Sequence, residues 1–278
     1  MTYITILSPE CNHFCSMELA GYLASLFIGV SLGLIGGGGS ILTVPVLVYL
    51  FAVSPTLAIS YSLFIVGATS LVGAYSNYRK GLVNFKTVLL FGSSSITTVF
   101  ITRKCIIPLV PDVFFKIGSF NVTHALFVMV VFAILMVATS VAMIKSRKIE
   151  VETSAKSSPL VLVMYGILIG LVTGFLGAGG GFLLIPVLVI LMKLSMKEAI
   201  GTSLLIIALN ALIGFLGDIG RHAIDWLLVT TISAIAIAGI FIGDYFNQKF
   251  NAEKLRKGFG WFVLVMGIYI IIREIILN

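Results

Sequence analysis

Charged side chains are scarce along this chain of 278 residues. Only 10% of the residues are charged, whereas 59% are hydrophobic and the mean hydropathy is +1.14. A soluble domain carries about 25% charged residues, so this composition excludes a soluble fold and predicts a protein embedded in a lipid bilayer. The net charge of +7 does not call for nucleic acid as a partner, because a membrane explains the placement of the basic residues.

Residues that build catalytic or metal centres are also few, with three cysteines and three histidines. Cys11, His13 and Cys15 precede the first apolar segment, but three potential ligands without a partner cluster make a weak metal site. The sequence has no His-Glu-x-x-His motif, no nucleophile elbow and no acid pair. We therefore expect no bound metal, no cofactor and no enzymatic activity. The first residues lack a basic region, so we also expect no cleavable signal peptide.

Apolar stretches fill the chain and divide it into two halves. The first half, 17–144, follows an N-terminal tail at 1–16 that we place outside the cell, and a cytoplasmic linker at 145–158 leads to the second half, 159–278. Several stretches exceed the ~20 residues that cross ~30 Å of hydrocarbon. We predict an all-α membrane protein with about eight to ten crossing segments. The apolar segments are Met17–Ile35, Ile41–Val53, Leu57–Asn77, Thr87–Ile107, Val122–Ile144, Leu160–Leu176, Phe182–Met192, Glu198–Leu216, Trp226–Asn247 and Phe259–Ile276.

An internal repeat is centred on glycine. The stretch Gly29–Val48 recurs without a gap as Gly170–Val189, about 141 positions later, and the register continues to Gly73 and Gly214. Each copy places a cluster of glycines between two apolar runs. Repeats with hydrophobic segments broken by glycine are typical of membrane transporters that bind a polar solute at the break.

The second segment of each half is short, so it either crosses the membrane together with its glycine cluster or turns back. Ile41–Val53 and Phe182–Met192 span about 11–13 residues, which cover little more than half a membrane at ~1.5 Å per residue. If both segments cross and the N-terminus is outside, most of the 18 basic residues lie on the cytoplasmic side. If they turn back, this bias is weakened. We therefore favour crossing, which gives five segments per half and makes the two halves an inverted repeat.

Each glycine cluster is predicted to interrupt a helix at membrane depth and to leave backbone amides for a ligand. A helix is predicted to begin after each cluster, at Ile41 and at Phe182, so its free N–H groups and positive dipole end favour an anion. The alternative is that the glycines only let helices pack closely. A phosphate-binding loop is excluded, because no lysine follows the glycines. The predicted ligands are Gly36, Gly37, Gly38, Gly39, Ser40, Gly177, Gly179, Gly180 and Gly181.

The two glycine–proline stretches, Gly33–Pro45 and Gly174–Pro186, resemble the signature of the TauE/SafE family of sulfite exporters. Ala199–Leu204, His222–Asp225 and Ala238–Gly243 are further elements similar to that family, and the likeness covers nearly the whole chain. The resemblance implies transport of sulfite or an organic sulfonate, coupled to a proton gradient. It does not imply one substrate.

The first half departs from this family pattern at three positions. Thr98 and Thr102 stand where the second half has Gly239 and Gly243. Asn84, in the same register, stands where the second half has an aspartate. These changes argue against close helix packing at the fourth segment.

Polar side chains within the apolar segments are the second set of candidate ligands. Ser62 and Ser203 are repeat equivalents, and the equivalents Thr69 and Asn210 lie seven residues further along the same two helix faces. Two such faces beside the glycine clusters would line a central cavity, where hydroxyl and amide donors bind an anion. The alternative is that the hydroxyls bond to carbonyls of their own helices. The predicted set is Ser62, Thr69, Thr202, Ser203 and Asn210, and other polar residues of the apolar cores are Ser31, Thr43, Ser70 and Thr173.

Ionisable side chains near the ends of the apolar segments are candidates for proton coupling. Our hypothesis is that Asp218, Asp225 or Asp244 exchanges the coupling proton. A solvated position at the membrane interface is the simpler interpretation of Asp218 and Asp225. Arg103 and Lys104, at the predicted outer end of the fourth segment, either guide anions or extend to the interface, and extension is the simpler interpretation.

The combined features predict a multi-pass carrier in a cytoplasmic membrane of the bacterial type, which moves a small sulfur-containing anion by alternating access. An anion channel is one alternative, but scarce intramembrane charge argues against a continuous hydrophilic pore. A non-transporting membrane scaffold is another, and it does not explain two helix breaks at matching positions. The expected partners are the anion, protons and the lipid bilayer, and the oligomeric state is left open.

Overall fold

The computed structural model describes residues 9–111, 113–117, 120–145, 159–177, 179–221, 223–247 and 252–276. Within these ranges the chain forms one helix for each predicted apolar segment, so the all-α fold class is confirmed. The predicted linker lies, beyond Lys145, outside the described residues. The helices are α1 Pro9–Ile35, α2 Thr43–Tyr49, α3 Pro55–Arg79, α4 Phe85–Leu109, α5 His124–Lys145, α6 Pro159–Leu176, α7 Gly181–Met192, α8 Met196–Asp218, α9 Trp226–Asn247 and α10 Ala252–Ile276.

Two elements extend the predicted arrangement. Because α1 begins at Pro9, the later part of the predicted N-terminal tail is helical. A short antiparallel hairpin of β1 (Val113–Ile117) and β2 (Phe120–Thr123) lies between α4 and α5. β-branched and aromatic residues, which favour strands, dominate both strands, and each strand is too short to cross a membrane.

Helix α4 is irregular along its length. Its α-helical turns are interrupted by π-helical turns at Val88–Gly92 and Thr102–Ile106, and it ends in a 3-10 turn at Ile107–Leu109. Single π-helical turns occur frequently at functional positions. The second of these wide turns contains Arg103.

Helices α1 and α9 pack closely against each other, and their contacts give their relative direction. A Cβ atom on Gly29 would lie 1.9 Å from the carbonyl oxygen of Ala236, and one on Gly33 would lie 2.6 Å from that of Ile240. Since both contacts advance in the same direction, α1 and α9 run parallel. The first helix of one half therefore packs backbone to backbone against the fourth helix of the other half.

The repeat-equivalent pair, α4 and α6, is also parallel. A Cβ atom on Gly170 would lie 2.6 Å from the carbonyl oxygen of Ser95, and one on Gly174 would lie 2.7 Å from the Cβ of Thr102. Close packing at the fourth segment, which the sequence argued against, is therefore present. The glycines of α6 make the necessary room opposite Thr98 and Thr102.

Helices α3 and α8, which are repeat equivalents, run antiparallel. A Cβ atom on Gly67 would lie 2.8 Å from the side chain of Leu212, whereas one on Gly73 would lie 3.3 Å from the side chain of Leu204. Helices α5 and α10, which are also repeat equivalents, run antiparallel as well. Their contacts are Gly260 with Met143 and Gly267 with Met136.

Equivalent helices that pack antiparallel are related by a pseudo-twofold axis in the plane of the membrane, so the predicted inverted repeat is confirmed. A half whose copy has the opposite orientation must cross the membrane an odd number of times. Both three and five crossings per half satisfy this condition, so the crossing of the short helices α2 and α7 stays a prediction.

The centre of the molecule is the pair α3 and α8. In each of these two helices 72% of the most apolar 18-residue stretch is buried inside the protein, whereas the share is 33–39% in α4, α5 and α9. These five helices are long and apolar enough to cross a membrane. The peripheral helices expose large apolar side chains, such as Leu89 and Leu227, as expected for surfaces in contact with lipid.

Candidate functional site

The first glycine break, Gly36–Ser40, is a compact turn. Gly36 has a φ of +80°, which glycine adopts without strain, and its amide donates to the carbonyl of Leu32 at 2.9 Å. Gly37–Leu42 then form a 3-10 helix that leads into α2. The sequence predicted a regular helix from Ile41. In the structure a tighter 3-10 helix begins at Gly37, four residues earlier, and the regular helix α2 begins at Thr43.

The second glycine break, Gly177–Gly181, differs from the first because, among its described residues, no 3-10 helix precedes the following helix α7. Gly177, Gly179 and Gly180 all have positive φ angles, and Ala178 lies outside the described residues. The amides of Leu183 and Leu184 both donate to the carbonyl of Gly180 at 3.1 Å. The amides that precede them belong to the first turn of α7, where helix geometry supplies no acceptor.

The two breaks meet at the centre of the molecule. A Cβ atom on Gly37 would lie 2.1 Å from the Cα of Gly181, so the two backbones are in contact. A Cβ atom on Gly179 would lie 2.9 Å from Val66 and from Ile207, which occupy the midpoints of α3 and α8. The breaks therefore lie at mid-depth between the two central helices.

Close packing, the alternative explanation of the glycines, applies to both breaks. A Cβ atom on Gly39 would lie 2.2 Å from the Oγ of Ser31, and one on Gly180 would lie 2.2 Å from the Oγ1 of Thr173. Gly38 is the exception, because its nearest neighbours are side-chain atoms at 3.4 Å. Most of these glycines are thus required by packing, whether or not a ligand also approaches them.

Four hydroxyls among the predicted ligands, Ser40 of the first break included, are bonded to backbone carbonyls. Ser62 lies 2.7 Å from the carbonyl of Ile59 and 2.8 Å from that of Gly177, so it connects α3 to the second break. The other three bond within their own segment, as the alternative interpretation stated. They are Ser40 to Gly37, Thr69 to Ile65 and Ser203 to Ile200.

Thr202 and Asn210 of α8 contact the first half directly. The Oγ1 of Thr202 accepts from the amide of Asn84 at 3.0 Å, ahead of α4. The Nδ2 of Asn210 donates to the Oγ of Ser95 at 2.8 Å, while its buried Oδ1 has no partner among the described residues. Both side chains therefore join α8 to α4.

Five buried hydroxyls have no partner among the described residues, and three of them belong to the other polar residues of the apolar cores, which the sequence analysis named but did not include in the predicted set. Thr43, Ser70 and Thr173 are buried, and their hydroxyl oxygens bond to no described residue. Thr43 starts the helix after the first break, and Thr173 lies against Gly180 of the second break. Thr43 and Thr173 are also close to the glycine clusters in the sequence, so this proximity could have identified them as candidate ligands.

Asp218 is buried rather than solvated at the interface. It is 5% exposed, accepts a hydrogen bond from Ser60 at 2.6 Å and lies 3.3 Å from the guanidinium of Arg103, which is 4% exposed. The interfacial interpretation of both residues is therefore wrong, because the two side chains are buried inside the protein as an ion pair. Lys104 is exposed, as expected for a side chain that extends to the interface.

Asp225 and Asp244 have different surroundings. Asp225 caps α9 by accepting from the amide of Leu228 at 3.0 Å, in the same way that its equivalent Asn84 caps α4. Asp244 accepts from Ser76 at 2.8 Å and pairs with Lys80 near the predicted cytoplasmic face. The structure thus places the three aspartates at separate points and does not bring them into one cluster.

Comparison with known proteins yields one family. The family model for the sulfite exporter TauE/SafE matches residues 22–270. A probable membrane transporter protein of Xylella fastidiosa is 29% identical over 89% of this chain and 92% of its own length. The probable membrane transporter protein YdhB of Bacillus subtilis is 28% identical over 84% of this chain and 92% of its length.

The similarity extends to archaea. A probable membrane transporter protein of Methanocaldococcus jannaschii is 24% identical over 90% of this chain and 94% of its length. No solved structure matches the chain. The inverted halves, the paired glycine breaks at mid-depth and the family match agree, and this multi-pass membrane protein belongs to the TauE/SafE sulfite exporter family of membrane transporters.

Proposed function

We propose that this protein is a secondary transporter that carries sulfite or a small organic sulfonate across a cytoplasmic membrane of the bacterial type. The observation that supports the proposal best is the meeting of two inverted glycine breaks midway along α3 and α8. In transporters built from inverted repeats, the solute binds at the midplane where such helices are broken. The proposal includes no catalytic step.

An anion suits the chemistry at the centre. The first turn of α7 presents backbone amides and the positive end of a helix dipole. The hydroxyls of Thr43 and Thr173 flank the two breaks, and no described residue satisfies them. These neutral donors bind an oxyanion without a buried cation in the central site, so the anion can leave again on either side.

The transport cycle would be alternating access, in which the two inverted halves exchange conformations about the α3–α8 pair. Coupling to protons would use a carboxylate close to one face. Asp218 faces Ser60, Arg103 and Arg221 at the predicted outer face, whereas Asp244 faces Ser76 and Lys80 at the other. Asp225 is the weakest of the three candidates, because its carboxylate already caps α9.

Flux into proteoliposomes tests this function. We expect sulfite flux that saturates and responds to a pH gradient, with sulfate, taurine, sulfoacetate and chloride as competitors. Fast chloride flux that ignores pH would indicate a channel, and an absence of solute-dependent flux would indicate a scaffold.

Two alanine variants relate that flux to the glycine breaks. Gly179→Ala places a Cβ 2.9 Å from Val66 and Ile207 at a positive φ, so it should abolish flux. Gly38→Ala is the matched control, because its Cβ would meet side chains no closer than 3.4 Å. Wild-type flux in Gly179→Ala would contradict a central role for the breaks.

A further inference from the structure

A second cluster of polar residues lies away from the glycine breaks, at the predicted outer face. We define this outer cluster as Ser60, Arg103, Asp218 and Arg221. The Asp218 carboxylate accepts from Ser60 at 2.6 Å and lies 3.3 Å from Arg103 and 3.6 Å from Arg221. Two guanidinium groups therefore share one carboxylate, and the described cluster carries one excess positive charge.

The pairing between Arg103 and Asp218 is incomplete. An arginine and a carboxylate that are fully paired form two parallel hydrogen bonds. Here the single contact at 3.3 Å is an ion contact without hydrogen-bond geometry, and the Nε and Nη2 of Arg103 donate to no described residue. Because Arg103 is 4% exposed, these donors are withheld from bulk water as well. The guanidinium thus retains capacity for an acceptor.

The repeat register makes the position of this cation distinctive. Arg103 is the equivalent of Asp244, and Asp218 is the equivalent of Asn77. Arg221 is likewise the equivalent of Lys80. The two faces of an otherwise repeated framework therefore differ in charge, with a buried arginine at one face where the other has an acid.

The chemistry of the guanidinium defines the ligand. Its planar fork matches two oxygens of one oxyanion, as in a carboxylate, a sulfonate or sulfite, whereas a halide is a single atom and cannot accept two parallel hydrogen bonds. Arg103 also lies in the wide turn Thr102–Ile106 of α4, which packs against the central helix α8. An oxyanion moving between the centre and the outer face would pass this helix pair.

We propose that Arg103 is an oxyanion-binding residue at the outer end of the transport path, and that Asp218 is an internal competitor for the same guanidinium. Without an anion, Asp218 holds Arg103. An arriving sulfite or sulfonate displaces the carboxylate, which stays bound to Ser60 and Arg221. This inference rests on the proposed transport of anions and adds a second, cationic site to the neutral central one.

The test compares three single variants by sulfite binding, measured as the ligand-dependent shift of the unfolding midpoint of purified protein, and by the KM of flux. Arg103→Gln should weaken sulfite binding at least about tenfold, because it removes the fork. Asp218→Asn should tighten binding, because it removes the competitor. Lys104→Gln, next to Arg103 but exposed, should behave like the wild type.

Opposite changes of sulfite affinity in Arg103→Gln and Asp218→Asn distinguish a role in anion binding from a purely structural ion pair. If the pair only held α4 to α8, both variants would lower the unfolding midpoint without sulfite, and their effects on binding would have one sign. Asp218→Asn has a natural precedent, because Asn77 occupies the equivalent position. Arg103→Lys, which keeps the charge, should lose discrimination between sulfite and chloride if the fork is the binding element.

The failures of the two proposals can be told apart. Wild-type sulfite flux with an unchanged KM in Arg103→Gln would overturn the inference and leave the transport function standing. Sulfite binding that depends on Arg103, without flux in the wild type, would support the site and overturn the transport function. Absence of sulfite and methanesulfonate binding in the wild type would overturn the inference.

Discussion

At the scale of single residues, the partner of each polar group separates candidates that look alike in the sequence. Ser62 and Ser203 are repeat equivalents, yet only Ser62 reaches across to the other half, where it bonds Gly177. Asp218 and Asp225 are close in sequence, yet one is buried against Arg103 and the other caps a helix. Sequence reasoning could name these residues, because polar groups are rare in apolar segments. It could not assign their partners, which come from segments far away in the chain.

The capping role of Asp225 leads to a prediction. Asp225→Asn should keep both the stability and the proton dependence of flux, because Asn84 performs the same capping in the other half. Asp225→Ala should lower the free energy of unfolding by about 1 kcal/mol, since the amide of Leu228 loses its acceptor. Thermal unfolding and flux against a pH gradient measure the two effects. Loss of proton dependence in the asparagine variant would instead make Asp225 the coupling residue.

At the scale of elements, glycine determines which helices approach each other closely. The contacts of α1 with α9 and of α4 with α6 join a first helix to the fourth helix of the other half. The repeat of Gly29 and Gly33 as Gly170 and Gly174 was visible in the sequence, but their partners were not. The π-helical turns of α4 and the β hairpin also escaped prediction, because local distortions of this size leave no hydrophobic period of their own.

A pair of alanine variants tests this role of glycine. Gly33→Ala should destabilise the protein by about 1–3 kcal/mol, because its Cβ would lie 2.6 Å from the carbonyl oxygen of Ile240 and force α1 away from α9. Gly258→Ala in α10 is the control, because a Cβ there meets nothing within 4 Å. The control should be neutral or slightly stabilising, since alanine is the better helix former. Similar unfolding midpoints for both variants would contradict a packing role for Gly33.

At the scale of the whole molecule, the sequence was sufficient for the inverted arrangement. A repeat, two short segments and a one-sided distribution of lysine and arginine together indicated five crossings per half. The helix directions agree with this topology. The sequence did not predict the interior, in which α3 and α8 are the central pair and the side chain of Arg103 is buried. Contacts between the two halves depend on side-chain packing, which the hydrophobic period of a single segment does not reveal.

Labelling with a membrane-impermeant maleimide tests the topology in whole cells. With Cys11 and Cys15 replaced by serine, the exposed Cys105 at the end of α4 should react from outside. A cysteine in place of Lys86, which is exposed at the start of α4, should react only after the membrane is permeabilised in a variant that also lacks Cys105. The reverse pattern would invert the orientation and place the outer cluster on the cytoplasmic side.

The exchange of partners between the halves also constrains how the protein is made. The segment that leaves the ribosome first, α1, must wait for roughly 200 further residues before α9 exists to receive it. Until then its glycine face has only lipid or the insertion machinery as a neighbour. The first half therefore cannot complete its native packing during its own synthesis. Maturation is therefore a late event that begins once the final helices have entered the bilayer, and chains cut short at the linker should be cleared by proteolysis.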